Sequence, residues 1–284
     1  MKIQLCAFAD EADSSLDGQI SALKRNNIPY LELRSIAGKN VKDFSLDEAK
    51  EYAKILSDNG IAVWSIGSPI GKVGIDVDMD VYMQDVRHVC ELANIFGTTR
   101  IRMFSFFHAH DKREKVMENL QKMADVAKEY GVELYHENEK DIYGDTLERV
   151  QDIMNSVNGL KYIYDPANYL QCEESANKTI PALADKTDYF HIKDVVVATG
   201  ELVPAGYGDG KIEELVSKMK GDKVLTLEPH LAVFDAYASI DGSEMKHKFH
   251  FTNNNEAFDA AVKAIKDILV KAGYQEVVGG FEKV

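Results

Sequence analysis

The chain has 284 residues, 45% of them hydrophobic and 28% charged, with a formal charge of −14 at neutral pH. So large an acidic excess repels phosphate backbones and anionic membrane surfaces, which argues against nucleic-acid and membrane partners. The three cysteines, Cys6, Cys90 and Cys172, are widely spaced and form no CxxC, which predicts a reduced, cytoplasmic chain.

In chain order, the N-terminal MKIQLCAFADEAD has a short apolar run followed by acids, unlike a signal-peptide core. No later stretch approaches the roughly 20 apolar residues of a membrane span. The apolar run 3–8 predicts a strand, and 14–27 a helix capped by Ser14 or Ser15. Residues 30–35 read as a strand. Residues 45–60 read as a helix opened by a capping box, Ser45 with Glu48, and closed by Gly60. The alternation continues with a strand at 61–68, a helix at 81–97, a strand at 99–106 and a helix at 113–131. It goes on through a strand at 132–138, a helix at 145–159 capped by Asp145, and a strand at 160–165. A weaker helix at 175–186 is interrupted by Pro181. A strand at 188–195, a helix at 211–221, a strand at 223–230 and a closing helix at 255–274 complete the series.

Strands alternating with helices imply a parallel sheet, and eight such pairs imply an α/β fold closed as a single (β/α)8 TIM barrel. No linker or shift of composition divides the chain, so residues 1–284 read as one domain. An open doubly wound sheet fits less well, because it usually has a glycine-rich first turn and KIQLCAFADEAD has none.

Active sites of such barrels lie at the C-terminal ends of the strands. The polar residues there include Glu32 and Arg34 after strand two, and Trp64 and Ser68 after strand three. Arg102 follows on strand four, then His136, Glu137 and Asn138 on strand five. The later strands bring Asp165 and Asn168, then His191, Lys193 and Asp194, then Glu228 and His230. Glu137, Asp165, His191 and Glu228 form a mixed oxygen and nitrogen set that suits Mn²⁺, Mg²⁺, Co²⁺ or Zn²⁺ rather than a thiolate-bound metal. Three acids in one place repel one another unless a cation resolves the conflict.

YHEN in strand five, YDPAN in strand six, HIKD in strand seven and LEPH in strand eight, in this order, resemble the xylose isomerase-like barrels of sugar and sugar-phosphate isomerases and epimerases. The resemblance covers essentially the whole chain. It implies one divalent metal ion per chain, manganese first, held by Glu137, Asp165, His191 and Glu228. The superfamily also includes apurinic endonucleases with a three-zinc cluster. These carry a histidine three residues after the strand-six aspartate, where this chain has Asn168, and further histidines after strand seven, where 195–210 has none. Tagatose-type epimerases likewise use a histidine at that position and an arginine after strand seven, and the lack of both here argues against a direct transfer of their substrate preference.

The resemblance implies an isomerase of carbohydrate metabolism acting on a small sugar, sugar phosphate or cyclitol. Its reaction would be proton transfer beside a carbonyl through a metal-stabilised enediolate. Glu137 and Glu228 are the expected bases. Lys193 is the expected electrophile, and Trp64, Lys72, Arg102, His136 and Asn168 are the expected substrate-binding residues. A lyase or dehydratase acting on an inosose or glycoside with the same metal is the alternative enzyme, and a non-catalytic sugar-binding barrel the alternative to an enzyme. A homo-oligomer is compatible with the resemblance. Taken singly, each residue has a plainer reading. A strand-end Glu is ordinarily a solvated loop residue, and an inward Arg ordinarily a structural partner of an acid, as Glu32 would be for Arg102. The HxH of His108 and His110 is ordinarily an accident of spacing. The GYGDG stretch, with Gly206, Gly208 and Gly210, reads as an anion cradle or as a flexible turn.

Overall fold

The computed structural model describes residues 1–231 and 249–283. Eight strands pair in parallel, each with the next: β1 (Lys2–Ala7), β2 (Tyr30–Leu33), β3 (Ala62–Ile66), β4 (Arg100–Met103), β5 (Glu133–Glu137), β6 (Lys161–Tyr164), β7 (Tyr189–Ile192) and β8 (Lys223–Leu227). β8 returns to β1, with Ile3 opposite Lys223 and Ala7 opposite Leu227, so the barrel closes. Helices α1 (Leu16–Arg25), α2 (Leu46–Asp58), α3 (Met79–Ile95), α4 (Arg113–Glu129) and α5 (Leu147–Ser156) cover the outside of its first half. The second half is covered by α6 (Pro166–Gln171), α7 (Ala176–Leu183), α8 (Ile212–Lys218) and α9 (Asn254–Lys271). Among the described residues, no helix is long and apolar enough to cross a membrane. All three cysteines are free.

Side-chain caps set where these helices start. Ser15 accepts the Gly18 N–H at α1, and the capping box of Ser45 and Glu48 opens α2 as expected. At α5 the cap is Thr146 and not Asp145, because Asp145 ends a preceding 3-10 turn and turns its carboxylate to Arg149. The sequence reading starts its helix after strand six at 175, yet Asp165 caps an earlier one, α6, with Pro166 in the first turn. One continuous apolar core lies between strands and helices, running from Ile3 and Leu5 to Ile265 and Leu269. A smaller cluster of Cys6, Ile163, Tyr189 and Val224 fills the lower barrel interior.

Three ribbons decorate this frame. Ser35–Ile36 pairs with Lys39–Asn40, and Asp194–Val196 pairs with Glu201–Val203. A C-terminal hairpin, β9 (Tyr274–Val277) and β10 (Gly280–Lys283), adds antiparallel to the start of β1. The ribbon after β7 answers the question raised by GYGDG. The loop does cradle an anion, and the anion is the chain's own Asp194. Its buried carboxylate accepts the N–H groups of Val195 (2.9 Å), Gly206 (2.9 Å), Gly208 (3.1 Å) and Gly210 (2.8 Å). A Cβ on Gly208 would lie 2.4 Å from Asp194 Oδ1 and 2.6 Å from the Val195 carbonyl oxygen, which leaves room for glycine alone. Gly208→Ala is therefore expected to lower stability by about 1–3 kcal/mol. Gly74→Ala, at a site with nothing within 4 Å, should be close to neutral. Urea unfolding of the two variants checks this, and coincident midpoints would remove the cradle's structural role.

Candidate functional site

Glu137 ends β5, Asp165 follows β6, His191 is the third residue of β7, and Glu228 follows β8. All four are buried, and one potential ligand atom from each lies within 4.8 Å of the other three. The barrel thus brings together the four strand-end residues expected to form the metal set. Two of their oxygens, Asp165 Oδ2 and Glu228 Oε2, are buried without a hydrogen-bond partner. Neither is aligned for a hydrogen bond, although Lys193 Nζ lies 2.9 Å from the first and His191 Nδ1 3.1 Å from the second. The cluster fits a divalent metal by its donor set of three carboxylates and an imidazole.

His191 has carboxylates on both sides of its ring. Nδ1 lies 2.9 Å from Glu137 Oε1 and 3.1 Å from Glu228 Oε2, while Nε2 lies 3.1 Å from Glu32 Oε2. A carboxylate only accepts, so both ring nitrogens donate and the ring is an imidazolium here. Burial works against that charge, but Glu137 and Glu32 overcome it and raise the His191 pKa well above the usual range. Glu32 also accepts the Tyr189 hydroxyl. Its partners are thus Tyr189 and His191, which corrects the expected pairing with Arg102. Burial pushes the Glu137 and Glu228 carboxyls up, yet both end below the ordinary value. His191 and Arg102 offset burial at Glu137, and Lys193, His191 and His230 do so at Glu228. Burial wins at Asp165, which is pushed up to about 6 against the opposing charge of Lys193.

The cluster contains basic groups as well as acids. Lys193 Nζ approaches Asp165 Oδ2 at 2.9 Å, without hydrogen-bond alignment, and stands 3.7 Å from Glu228 Oε2. Arg102 Nη1 bridges Glu137 Oε2 (3.3 Å) and Glu228 Oε1 (3.4 Å), and Nη2 donates to the Gly67 carbonyl. Arg34 holds Asp10 through two bonds of 2.9 Å, and also reaches Glu228 (3.1 Å) and Glu11 (3.3 Å). His230 lies 3.0 Å from Glu11 and 3.3 Å from Glu228. Asn168 donates to Glu137 Oε1 (3.3 Å) and to the Asn138 carbonyl (2.9 Å). Asn138 in turn bonds the backbone of Asp165 in both directions, which ties the ends of β5 and β6 together.

Sequence reasoning noted Arg34 and His230 at strand ends and Asn138 as a flank of Glu137, and it missed Asp10 and Glu11 in the loop after β1. Their signal was faint. Arg34 shares a face with Glu32 two residues earlier, and the first loop is acidic.

Three of the expected substrate-binding residues lie elsewhere or are already engaged. Trp64 is at the opposite, N-terminal end of the barrel. It lines a cavity of about 310 Å³ with Gln4, Tyr135, Tyr189 and Val224, and Arg100 lies 3.8 Å over its ring. It belongs to the middle of β3, short of the C-terminal mouth. His136 neighbours Glu137 and so points the other way, toward the helices. It bonds Ser105 Oγ (2.9 Å), packs against Gly144, and is pushed down to about 4 by burial. Lys72 does stand near the mouth, over the Phe104 ring, but it is paired with Glu139 at 3.1 Å. Arg102 and Asn168 join the cluster as partners of its carboxylates. His110 pairs with Asp145 and forms no metal-capable group with His108 among the described residues.

The comparisons agree with this architecture. A family model described as xylose isomerase-like TIM barrel matches residues 20–236. Among solved structures, the probable 3-DHS dehydratase AsbF from Bacillus anthracis superposes with a TM-score of 0.71 at 15% identity, covering 94% of this chain and 99% of that one. The IolI protein with a binding zinc atom gives 0.71 at 16% identity, with 96% and 99% covered. An L-ribulose 3-epimerase gives 0.69 at 18% identity, with 95% of each chain covered. No curated protein matches the chain significantly in sequence. On the family match and the closed eight-stranded barrel together, the chain belongs to the xylose isomerase-like TIM barrel family.

Proposed function

We propose that this chain is a divalent-metal-dependent isomerase or epimerase that moves a proton on the carbon beside a carbonyl of a small sugar, sugar phosphate or cyclitol. The observation that carries the reading is the pair Glu137 and Glu228. They come from β5 and β8, on separate sides of the mouth, and each has one oxygen in the four-residue cluster and one on Arg102. Glu137, Asp165, His191 and Glu228 would hold the metal, manganese first. When bound, it would stabilise the negative charge that develops on the carbonyl oxygen as the neighbouring proton leaves.

Each base acts through the oxygen facing Arg102. The guanidinium orients both carboxylates and releases whichever one turns to the substrate. Lys193, held as an ammonium against Asp165, supplies a proton donor to a substrate oxygen. Removal on one face and return on the other inverts the carbon, whereas one base serving two carbons interconverts aldose and ketose. Carbohydrate chemistry is supported by relatives that include an epimerase, while the AsbF relative keeps elimination as the second reading. The buried ammonium of Lys193 could protonate a departing hydroxyl in such a reaction. The three free cysteines support a cytoplasmic setting.

The test is NMR of ketoses, ketose phosphates and keto-inositols incubated in D₂O with the metal-loaded protein. Deuterium should appear at a carbon beside the carbonyl and be lost on chelation. Loss of water from the substrate would favour elimination. No label and no product across the panel would sink the proposal.

A further inference from the structure

We infer that the N-terminal end of the barrel, opposite the mouth, holds a second binding site, for a small aromatic monocarboxylate. The strands that build the mouth also build this end. Side chains two residues apart on a strand share a face. Arg100, Tyr135 and Tyr189 therefore point inward as Arg102, Glu137 and His191 do, two residues further along β4, β5 and β7. The interior of such barrels is ordinarily filled by layers of side chains. Here the filling stops at a small cluster that includes Tyr189 and Val224, and the cavity of about 310 Å³ opens against these two. That volume lies at the lower end of the range for small-molecule sites.

Its walls are aromatic. Trp64, Tyr135 and Tyr189 line it, and the two tyrosines meet edge to face at 5.6 Å. The Tyr189 hydroxyl is given to Glu32, so Tyr189 offers the cavity its ring. The lining is also cationic, in a chain that carries −14 overall. Lys2, Arg100 and Lys223 stand there against Asp188 and Asp222. Lys223 pairs with Asp188 at 2.9 Å, and Asp222 accepts the backbone N–H of Lys2 at 2.7 Å. Glu133, two residues before Tyr135, has Lys161 at 3.9 Å. Arg100 lies over the Trp64 ring and beside the Tyr135 hydroxyl. Among the described residues, neither its guanidinium nor the Lys2 ammonium is paired with a carboxylate. A guanidinium held on an aromatic face keeps its edge for a carboxylate, which it meets with two parallel N–H donors. The aromatic walls call for a flat apolar body beside that head group. One ring bearing one carboxylate satisfies both demands and matches the single excess positive charge of the lining.

Trp64 is the chain's single tryptophan, so its fluorescence reports on this cavity. The test is a fluorescence titration of the full metal-loaded chain with 3-phenylpropionate and, separately, with its neutral amide. The acid should give a saturable change with a Kd of about 1 mM or tighter, and the amide should bind about tenfold or more weakly. Arg100→Gln should bring the acid down to the affinity of its amide, with circular dichroism showing the barrel intact. Lys2→Gln should weaken the acid by about threefold and leave the amide unchanged. A carboxylate could also go to the metal at the mouth, so the titration is repeated after chelation and should give the same Kd. No saturable response, equal affinities for acid and amide, or a response lost on chelation would each overturn the inference. So would an Arg100→Gln protein that keeps the preference for the acid. Should that variant not fold, the acid and amide pair and Lys2→Gln still decide the matter. None of these outcomes depends on the reaction at the mouth.

Discussion

Glu228→Gln should lower kcat/KM by about 10³-fold or more. The isosteric amide keeps the volume of the side chain, and it removes both a metal-capable anion and a base. It also strips a shared negative charge from Arg34, Arg102 and His230. Those cations retain other acids, namely Asp10 and Glu11 for Arg34, Glu137 for Arg102, and Glu11 for His230. The barrel should therefore stay folded, and circular dichroism with bound-metal analysis separates loss of structure or metal from loss of chemistry. Solvent exchange adds a sharper distinction. If Glu137 and Glu228 serve opposite faces of one carbon, each Gln variant should retain exchange with one epimer and lose it with the other. If one base serves two carbons, one variant should lose all exchange and the other only a part. A Glu228→Gln protein with wild-type turnover and wild-type metal content would end the assignment.

The four-residue cluster could be read from the sequence because each of its members sits at the end of a strand whose boundaries the apolar pattern marks well. The barrel's closure then brings those ends to one mouth, and fold class alone predicts this convergence. What surrounds the cluster was harder to see, because it depends on which way a side chain points and on what it meets across the barrel. His136 and Glu137 are adjacent, and a period of two sends them to opposite faces, yet nothing local says which face is inside. Trp64 fits a strand-end pattern, but β3 runs on to Ile66, which puts the ring among strand starts and not at the mouth. The glycines at 206, 208 and 210 announce a cradle without naming the anion. That anion is Asp194, twelve residues before the first of them, and only the ribbon that folds back shows it. Glu32 is the clearest case of a role set by tertiary structure. In sequence it is an acid beside an arginine, and in the barrel it is the acceptor beneath His191.

That acceptor leads to the second large effect, on metal binding. Nε2 of His191 faces Glu32 and Nδ1 faces Glu137, so acceptors at both ring nitrogens favour the doubly protonated ring. The Nδ1 atom facing Glu137 and Glu228 is the one placed to meet a metal, so loading must expel its proton. The raised His191 pKa means this proton is present at neutral pH. Metal affinity should therefore rise with pH through the neutral range, by up to about tenfold per pH unit, until the raised pKa of His191 is passed. Without metal, the sign for stability is the opposite. The stabilisation due to His191 is fully present below the unfolded value of about 6.5 and is lost as pH rises through the raised folded-state value. Calorimetry in buffers of different ionisation enthalpy should count about one proton released per metal bound. Glu32→Gln removes the carboxylate that fixes Nε2–H and should weaken metal binding by about 10- to 100-fold. Tyr189→Phe leaves that carboxylate in place and should cost less. Affinity that is flat with pH, together with a Glu32→Gln protein that binds metal as the wild type does, would take His191 out of the ligand set.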